Sequence, residues 1–134
     1  MSVILADTSV WVEMLRKGGT PAVFAFGELL RQGLICTHGL VRAEVLSGAL
    51  SARDYRRLGE GFSAVTTLAD PPNLWDLVGR ARYRLARQGF QASIADLVVA
   101  TVASYHHRKL FTLDQDFGRI RKVLAFELFE PLPQ

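Results

Sequence analysis

A chain of 134 residues has the size of one domain able to bury roughly two-thirds of its unfolded surface, and 49% hydrophobic with 22% charged residues exclude a disordered or fibrous protein. Lys+Arg 16 against Asp+Glu 13 gives +3, a weak hint of an anionic partner that solubility explains equally well. The apolar runs fall short of the about 18 residues a membrane helix needs, and the N-terminus lacks a basic start and meets Asp7 too early for a signal peptide, so one domain over 1–134 in the cytoplasm is expected.

In chain order, Ser2 to Ala6 is a short apolar run that Asp7-Thr8-Ser9 ends, which predicts a buried strand feeding a helix over Val10 to Leu15. That helix is expected to stop near Gly18-Gly19, and Thr20-Pro21 to open another through Arg31. Leu34 to Thr37 reads as the second strand and Leu40 to Leu50 as a helix. Ser51, followed three residues later by Asp54, begins the next helix. Val65 to Leu68 reads as a third strand, Pro71-Pro72 breaks the chain, and Asn73 to Gln88 is helical up to Gly89. Ser93 opens an apolar helix, Lys109 to Thr112 is a fourth strand, Gln115 to Arg121 a short helix and Ala125 to Phe129 a terminal strand. Alternating strands and helices predict a parallel sheet covered on both faces. The lone Cys36 lies in an apolar run and reads as a small buried hydrophobe rather than a catalytic thiol.

Five carboxylates stand where packing alone would favour apolar residues: Asp7, Glu44, Asp96, Asp114 and Asp116. In an open parallel sheet the functional crevice lies beyond the carboxyl ends of the strands, where strand order reverses. Asp7 ends the first strand and Asp114 follows the fourth, so the two meet if those strands are neighbours. Asp96 in the first turn of the apolar helix and Glu44 in the helix after the second strand can converge there. Each acid also has a structural reading. Asp7 and Asp114 can cap helices, Asp96 can complete a capping box with Ser93, and Asp116 can be a solvated loop acid. Taken jointly the acids point elsewhere, because two carboxylates 4 Å apart repel by roughly 4 kcal/mol at an effective dielectric near 20. A multivalent cation relieves that repulsion, and oxygen ligands without His or Cys suit Mg²⁺ or Mn²⁺ rather than zinc. His38, His106 and His107 show no zinc-type spacing.

Four segments carry a family resemblance: Leu5-Ala6-Asp7-Thr8-Ser9-Val10-Trp11, Arg42-Ala43-Glu44-Val45-Leu46, Ser93-Ile94-Ala95-Asp96-Leu97-Val98-Val99-Ala100-Thr101 and Phe111-Thr112-Leu113-Asp114-Gln115-Asp116-Phe117. In this order and at these separations the chain resembles the PIN-domain ribonucleases, most closely the VapC toxins of bacterial toxin-antitoxin pairs. The resemblance implies a three-layer α/β/α fold with a central parallel sheet of four to five strands. It also implies a Mg²⁺ site of Asp7, Glu44, Asp96 and Asp114, with Asp116 at a position often acidic in the family. The implied chemistry is metal-assisted hydrolysis of an RNA phosphodiester, and the implied partners are an RNA substrate, a small VapB-like antitoxin and a second copy of the chain.

Thr8, Ser9 and Thr112 carry hydroxyls beside the acids and are expected to orient a carboxylate or a water, with helix capping the alternative for Ser9. Arg80, Arg84 and Arg87 share one helical face and are candidates for RNA contact, with Arg53, Arg56 and Arg57 a second cluster; a solvated surface explains both. Trp11, Val12, Leu15, Phe24 and Phe26 offer apolar surface for an antitoxin helix, or pack into the core. A haloacid-dehalogenase-like phosphohydrolase needs a second Asp two positions after Asp7, where this chain has Ser9, and a receiver domain needs an adjacent acidic pair that is absent. A PIN-like binding module without catalysis and a housekeeping RNA-processing nuclease are the remaining alternatives.

Overall fold

The first strand in sequence lies inside the sheet: β1 (Ile4–Ala6) sits between β2 (Ile35–His38) and β4 (Leu110–Phe111), with β3 (Thr66–Leu68) outside β2. The computed structural model describes residues 3–16 and 19–131. All pairings are parallel, Leu5 sitting opposite both Cys36 and Leu110, and Ala6 opposite Phe111. Every residue of β1 and β2 is buried, as strands covered by helices on both faces must be. Cys36 is buried within β2, and burial pushes its thiol up to about 11, so it is a core residue.

Among the described residues seven helices connect and cover the strands: α1 (Thr8–Leu15), α2 (Pro21–Arg31), α3 (Gly39–Ser47), α4 (Ala52–Ser63), α5 (Leu74–Arg87), α6 (Ile94–Tyr105) and α7 (Asp116–Ile120). None among the described residues is long and apolar enough to cross a membrane. The apolar run after Ser93 becomes α6, buried continuously from Leu97 to Ala103. Thr101, the one polar residue in that stretch, donates its hydroxyl to the Leu97 carbonyl at 2.6 Å and so leaves nothing unsatisfied.

A line of rings ties the first helix to the last strand. Trp11 of α1 packs on Phe62 (centroids 4.2 Å) and edge-on to Phe26 (4.8 Å), Phe26 meets Phe111 of β4 (6.3 Å), and Phe111 meets Phe129 (4.8 Å). Trp11 and Phe26 therefore belong to the core and are lost to the apolar surface the sequence offered. Removing such a ring to Ala costs about 3–5 kcal/mol. The packing has a functional consequence, because Trp11 lies one turn beyond Asp7 and Phe111 precedes Thr112.

Several boundaries differ from the sequence reading for local reasons. Helix α1 begins at Thr8, since Asp7 rather than Ser9 caps it, and ends at Leu15; Gly18 and Ser2 lie outside the described residues. Helix α3 ends at Ser47 instead of Leu50 because Gly48 takes the C-cap and its amide turns back to Val45 and Leu46. The expected fifth strand is reduced to a single bridge between Leu110 and Leu128: the Leu110 amide donates to the Glu127 carbonyl and the Phe129 amide to the Leu110 carbonyl, both at 2.8 Å. β4 has only two residues, too short to template a longer ladder.

Candidate metal centre

The strand order reverses at β1, with β2 on one side and β4 on the other, which opens a crevice past the carboxyl ends of β1 and β4. Asp7 stands at its centre. Its amide extends the β1–β4 ladder by donating to the Phe111 carbonyl at 3.0 Å, and its side chain is buried, with 6% exposure. One carboxylate oxygen, Oδ1, accepts from the Ser9 hydroxyl (2.5 Å) and the Val10 amide (3.3 Å), while Oδ2 accepts from the Thr112 hydroxyl (2.5 Å). Those hydroxyls are held in turn: Ser9 Oγ accepts from the Leu113 amide (2.9 Å) and Thr112 Oγ1 from the Asp114 amide (3.0 Å). The result is a relay from the loop after β4, through two hydroxyls, to both oxygens of Asp7. Capping uses only Oδ1, so Oδ2 keeps a lone pair directed away from the helix start.

Burial pushes the Asp7 carboxyl above its ordinary range, against the bonds from Ser9 and Thr112 that favour its charged form. Asp96 is raised from 3.8 to about 6, first by burial and then by the charge of Asp114, with smaller contributions from Asp7 and Asp116 opposing the Ser93 hydroxyl. Carboxylate oxygens of Asp96, Asp114 and Asp116 lie within 4.8 Å of one another. The capping question for Asp96 is also answered: the Ser93 hydroxyl accepts from the Asp96 amide at 3.0 Å, yet the Asp96 carboxylate makes no return bond to the Ser93 amide among the described residues. Asp114 accepts from the Asp116 amide at 2.9 Å, a turn that brings the two acids onto one side of the loop.

Glu44 is placed differently. It is exposed on α3 and outside the group of three acids, and it connects to the crevice through Thr8, whose hydroxyl donates to Glu44 Oε1 at 2.6 Å. Thr8 and Glu44 thus form the rim, one residue along from Asp7. None of Asp7, Asp96, Asp114 and Asp116 takes part in an ion pair among the described residues. An all-carboxylate donor set without a protein cation fits a hard divalent metal, because each close approach is repulsive until such an ion enters.

A family model for the PIN domain matches residues 4–123. The chain belongs to the PIN domain family. Among curated relatives, Ribonuclease VapC11 of Mycobacterium tuberculosis and VapC ribonuclease Mb1587 of Mycobacterium bovis are each 29% identical over 125 residues, 90% of this chain and 93% of theirs. The fold resembles VapBC2 from Rickettsia felis bound to a promoter DNA fragment, with TM-score 0.74 at 19% identity over 96% of this chain and 99% of that one. It also resembles VapBC-1 from nontypeable Haemophilus influenzae, with TM-score 0.73 at 18% identity over 96% and 97%.

Asp116, singled out among the five carboxylates but open to reading as a solvated loop acid, joins Asp96 and Asp114; the Asp-x-Asp spacing lets one acid accept from the amide of the next. One feature of this PIN domain escaped the sequence. His38 read as isolated, but it is buried and its Nε2 lies 2.5 Å from Asp70 Oδ1, with Nδ1 accepting from the Leu40 amide to cap α3. Thirty-two residues separate that pair, and no local pattern marks it.

Proposed function

We propose that this PIN domain is a Mg²⁺-dependent endoribonuclease, with Mn²⁺ able to replace Mg²⁺, and the toxin of a toxin-antitoxin pair. One observation carries the reading: Asp96, Asp114 and Asp116 crowd within 4.8 Å of one another, Asp7 lies outside that group but close enough for its charge to act on Asp96, and none of the four has an ion-pair partner among the described residues. The names of the curated relatives, both VapC ribonucleases, support RNA as the substrate.

Asp7, Asp96, Asp114 and Asp116 would hold the ion. When bound, it would lower the pKa of a water and polarise a phosphoryl oxygen, supplying nucleophile and Lewis acid for hydrolysis. The chain's own contribution is positioning. Ser9 and Thr112 fix both oxygens of Asp7, and the Thr112 hydroxyl also holds the Asp114 amide, so one residue sets the spacing between strand-end acids. Glu44 and Thr8 form the rim of the crevice, with the Thr8 hydroxyl holding Glu44 Oε1 in place.

RNA reaches an acidic centre only along a basic approach. Arg80, Arg84 and Arg87 are exposed on α5 and unpaired with any acid among the described residues, which suits them to phosphate contact. An amphipathic antitoxin helix has an apolar landing surface in Leu15 and Phe24, each 55% exposed, beside Met14. VapBC-5 from Mycobacterium tuberculosis, whose structure the fold also resembles, is a member of the VapBC family of toxin-antitoxin systems, in keeping with such a partner.

Expression in cells followed by sequencing of RNA ends tests the reading, with Asp7→Asn as control. New, discrete 5′ ends that vanish in the control are expected; identical end profiles for both proteins would refute ribonuclease activity. A short upstream reading frame encoding a DNA-binding fold and an amphipathic tail would favour the toxin over a housekeeping nuclease.

A further inference from the structure

A second polar site lies at the other end of β4. A cleft of about 520 Å³ is walled by His107, Arg108 and Lys109 on one side and by Arg121, Leu124, Ala125 and Glu127 on the other. That volume is in the range of small-molecule sites, about 300–1,000 Å³. Lys109 precedes β4 and Asp114 follows it, so the cleft and the acids lie at most about 18 Å apart along the chain, on opposite ends of one strand.

The cleft has the charge its acidic counterpart lacks. Lys109 faces Glu127 at 4.0 Å, but Arg108 and Arg121 have no carboxylate within that distance among the described residues. Arg121 is oriented by the bond from its Nε to the Phe126 carbonyl at 3.0 Å, which leaves the outer N–H donors of the fork uncommitted. Arg108 has a buried Nε with no hydrogen-bond partner, a desolvation penalty of a kind that structural arginines normally avoid. His107 adds a third irregularity. It takes the left-handed conformation (φ 54°) where the chain leaves α6, a position glycine fills with less strain, and so carries an imidazole to the rim.

Glu127, the one acid in the cleft lining, is paired with Lys109, so the two guanidinium groups stand unpaired beside an apolar wall and match an anion attached to an apolar body. We propose that this cleft binds the phosphate of a nucleotide, Arg108 and Arg121 taking the phosphate oxygens while Leu124 and Ala125 receive the base or sugar. Two sources share that chemistry: a free mononucleotide and one unit of a single-stranded RNA. The site is separate from the metal centre and stands whether or not the chain cuts RNA.

Backbone amide NMR of the full chain in EDTA tests this, because without metal the strand is not cut. Titration with AMP, and separately with an oligouridylate, is expected to shift the amides of Arg108, Lys109 and Phe126. Arg108→Gln and Arg121→Gln are each expected to weaken binding by about tenfold, the loss of one charge-assisted hydrogen bond, while Arg31→Gln, outside the cleft lining, does not. Shift mapping on the unmutated protein stands even if a variant fails to fold. Tighter binding of the oligouridylate identifies an RNA strand as the source and tighter binding of AMP a free nucleotide; either upholds the site. Absence of shifts at millimolar concentrations of both probes, or inorganic phosphate binding as tightly as AMP, overturns it. RNA cleavage in Mg²⁺ is scored separately, so failure of one proposal is distinguishable from failure of the other.

Discussion

The carboxyl ends of β2 and β3 and those of β1 and β4 both present acids, and they treat them in opposite ways. At β2 and β3, Asp70 meets His38, whose other nitrogen caps α3, so the acid has a partner and the pair serves the fold. At β1 and β4, Asp7, Asp96, Asp114 and Asp116 have, among the described residues, only one another and a few hydroxyls and amides. A strand-end acid is therefore not a functional residue by position alone. What separates the two regions is whether the protein itself supplies the compensating positive or donor group.

Substitutions on the two sides should part most widely in activity. Asp96→Asn is expected to reduce Mg²⁺-dependent RNA cleavage by more than about a hundredfold, whereas Asp70→Asn leaves the rate of the folded protein within about twofold. Cleavage assays at saturating Mg²⁺ check this, and equal losses would erase the distinction. Thr112→Val removes the bond to Asp7 Oδ2 and the acceptor for the Asp114 amide, and a fall of about 10–100-fold in rate is expected with little loss of stability.

Stability should divide the regions in the other direction. His38→Ala leaves the Leu40 amide uncapped and Asp70 unpaired, and denaturant titration is expected to record a loss of about 1–3 kcal/mol. Asp96→Asn in the metal-free protein is expected to be neutral or stabilising, since it relieves repulsion; a clear loss would return Asp96 to a capping role. The pH dependence is the finest of these effects. Between 3.8 and about 6, folded Asp96 holds a proton that the unfolded chain has released, so the metal-free protein is more stable at the acid end of this window and loses that stability as pH rises. Thermal melts across the window in EDTA should show that slope in the unmutated protein and a shallower one in Asp96→Asn.

Much of this contrast could be read before the structure. The apolar run around Asp96 predicted both a buried helix and a charge that burial would disturb, and alternation of strands and helices put Asp7 and Asp114 at strand ends that meet if the first and fourth strands are neighbours, a condition the β1–β4 pairing fulfils. Residues whose roles depend on distant partners were less legible. Trp11 and Phe26 fit an exposed stripe as well as a core until Phe62 and Phe111 close over them. Glu44 lies on the correct helix but reaches the crevice only through Thr8, and the length of one side chain is not a sequence pattern. The terminal strand failed because pairing needs a partner of sufficient length, and β4 offers two residues.

A crystal soaked in Mn²⁺ and measured at the manganese absorption edge bears most directly on the account. The expected result is an anomalous peak among Asp7, Asp96, Asp114 and Asp116, at about 2.0–2.3 Å from carboxylate oxygens and absent in Asp96→Asn. No peak at saturating Mn²⁺, or a peak at Asp70 instead, would contradict it.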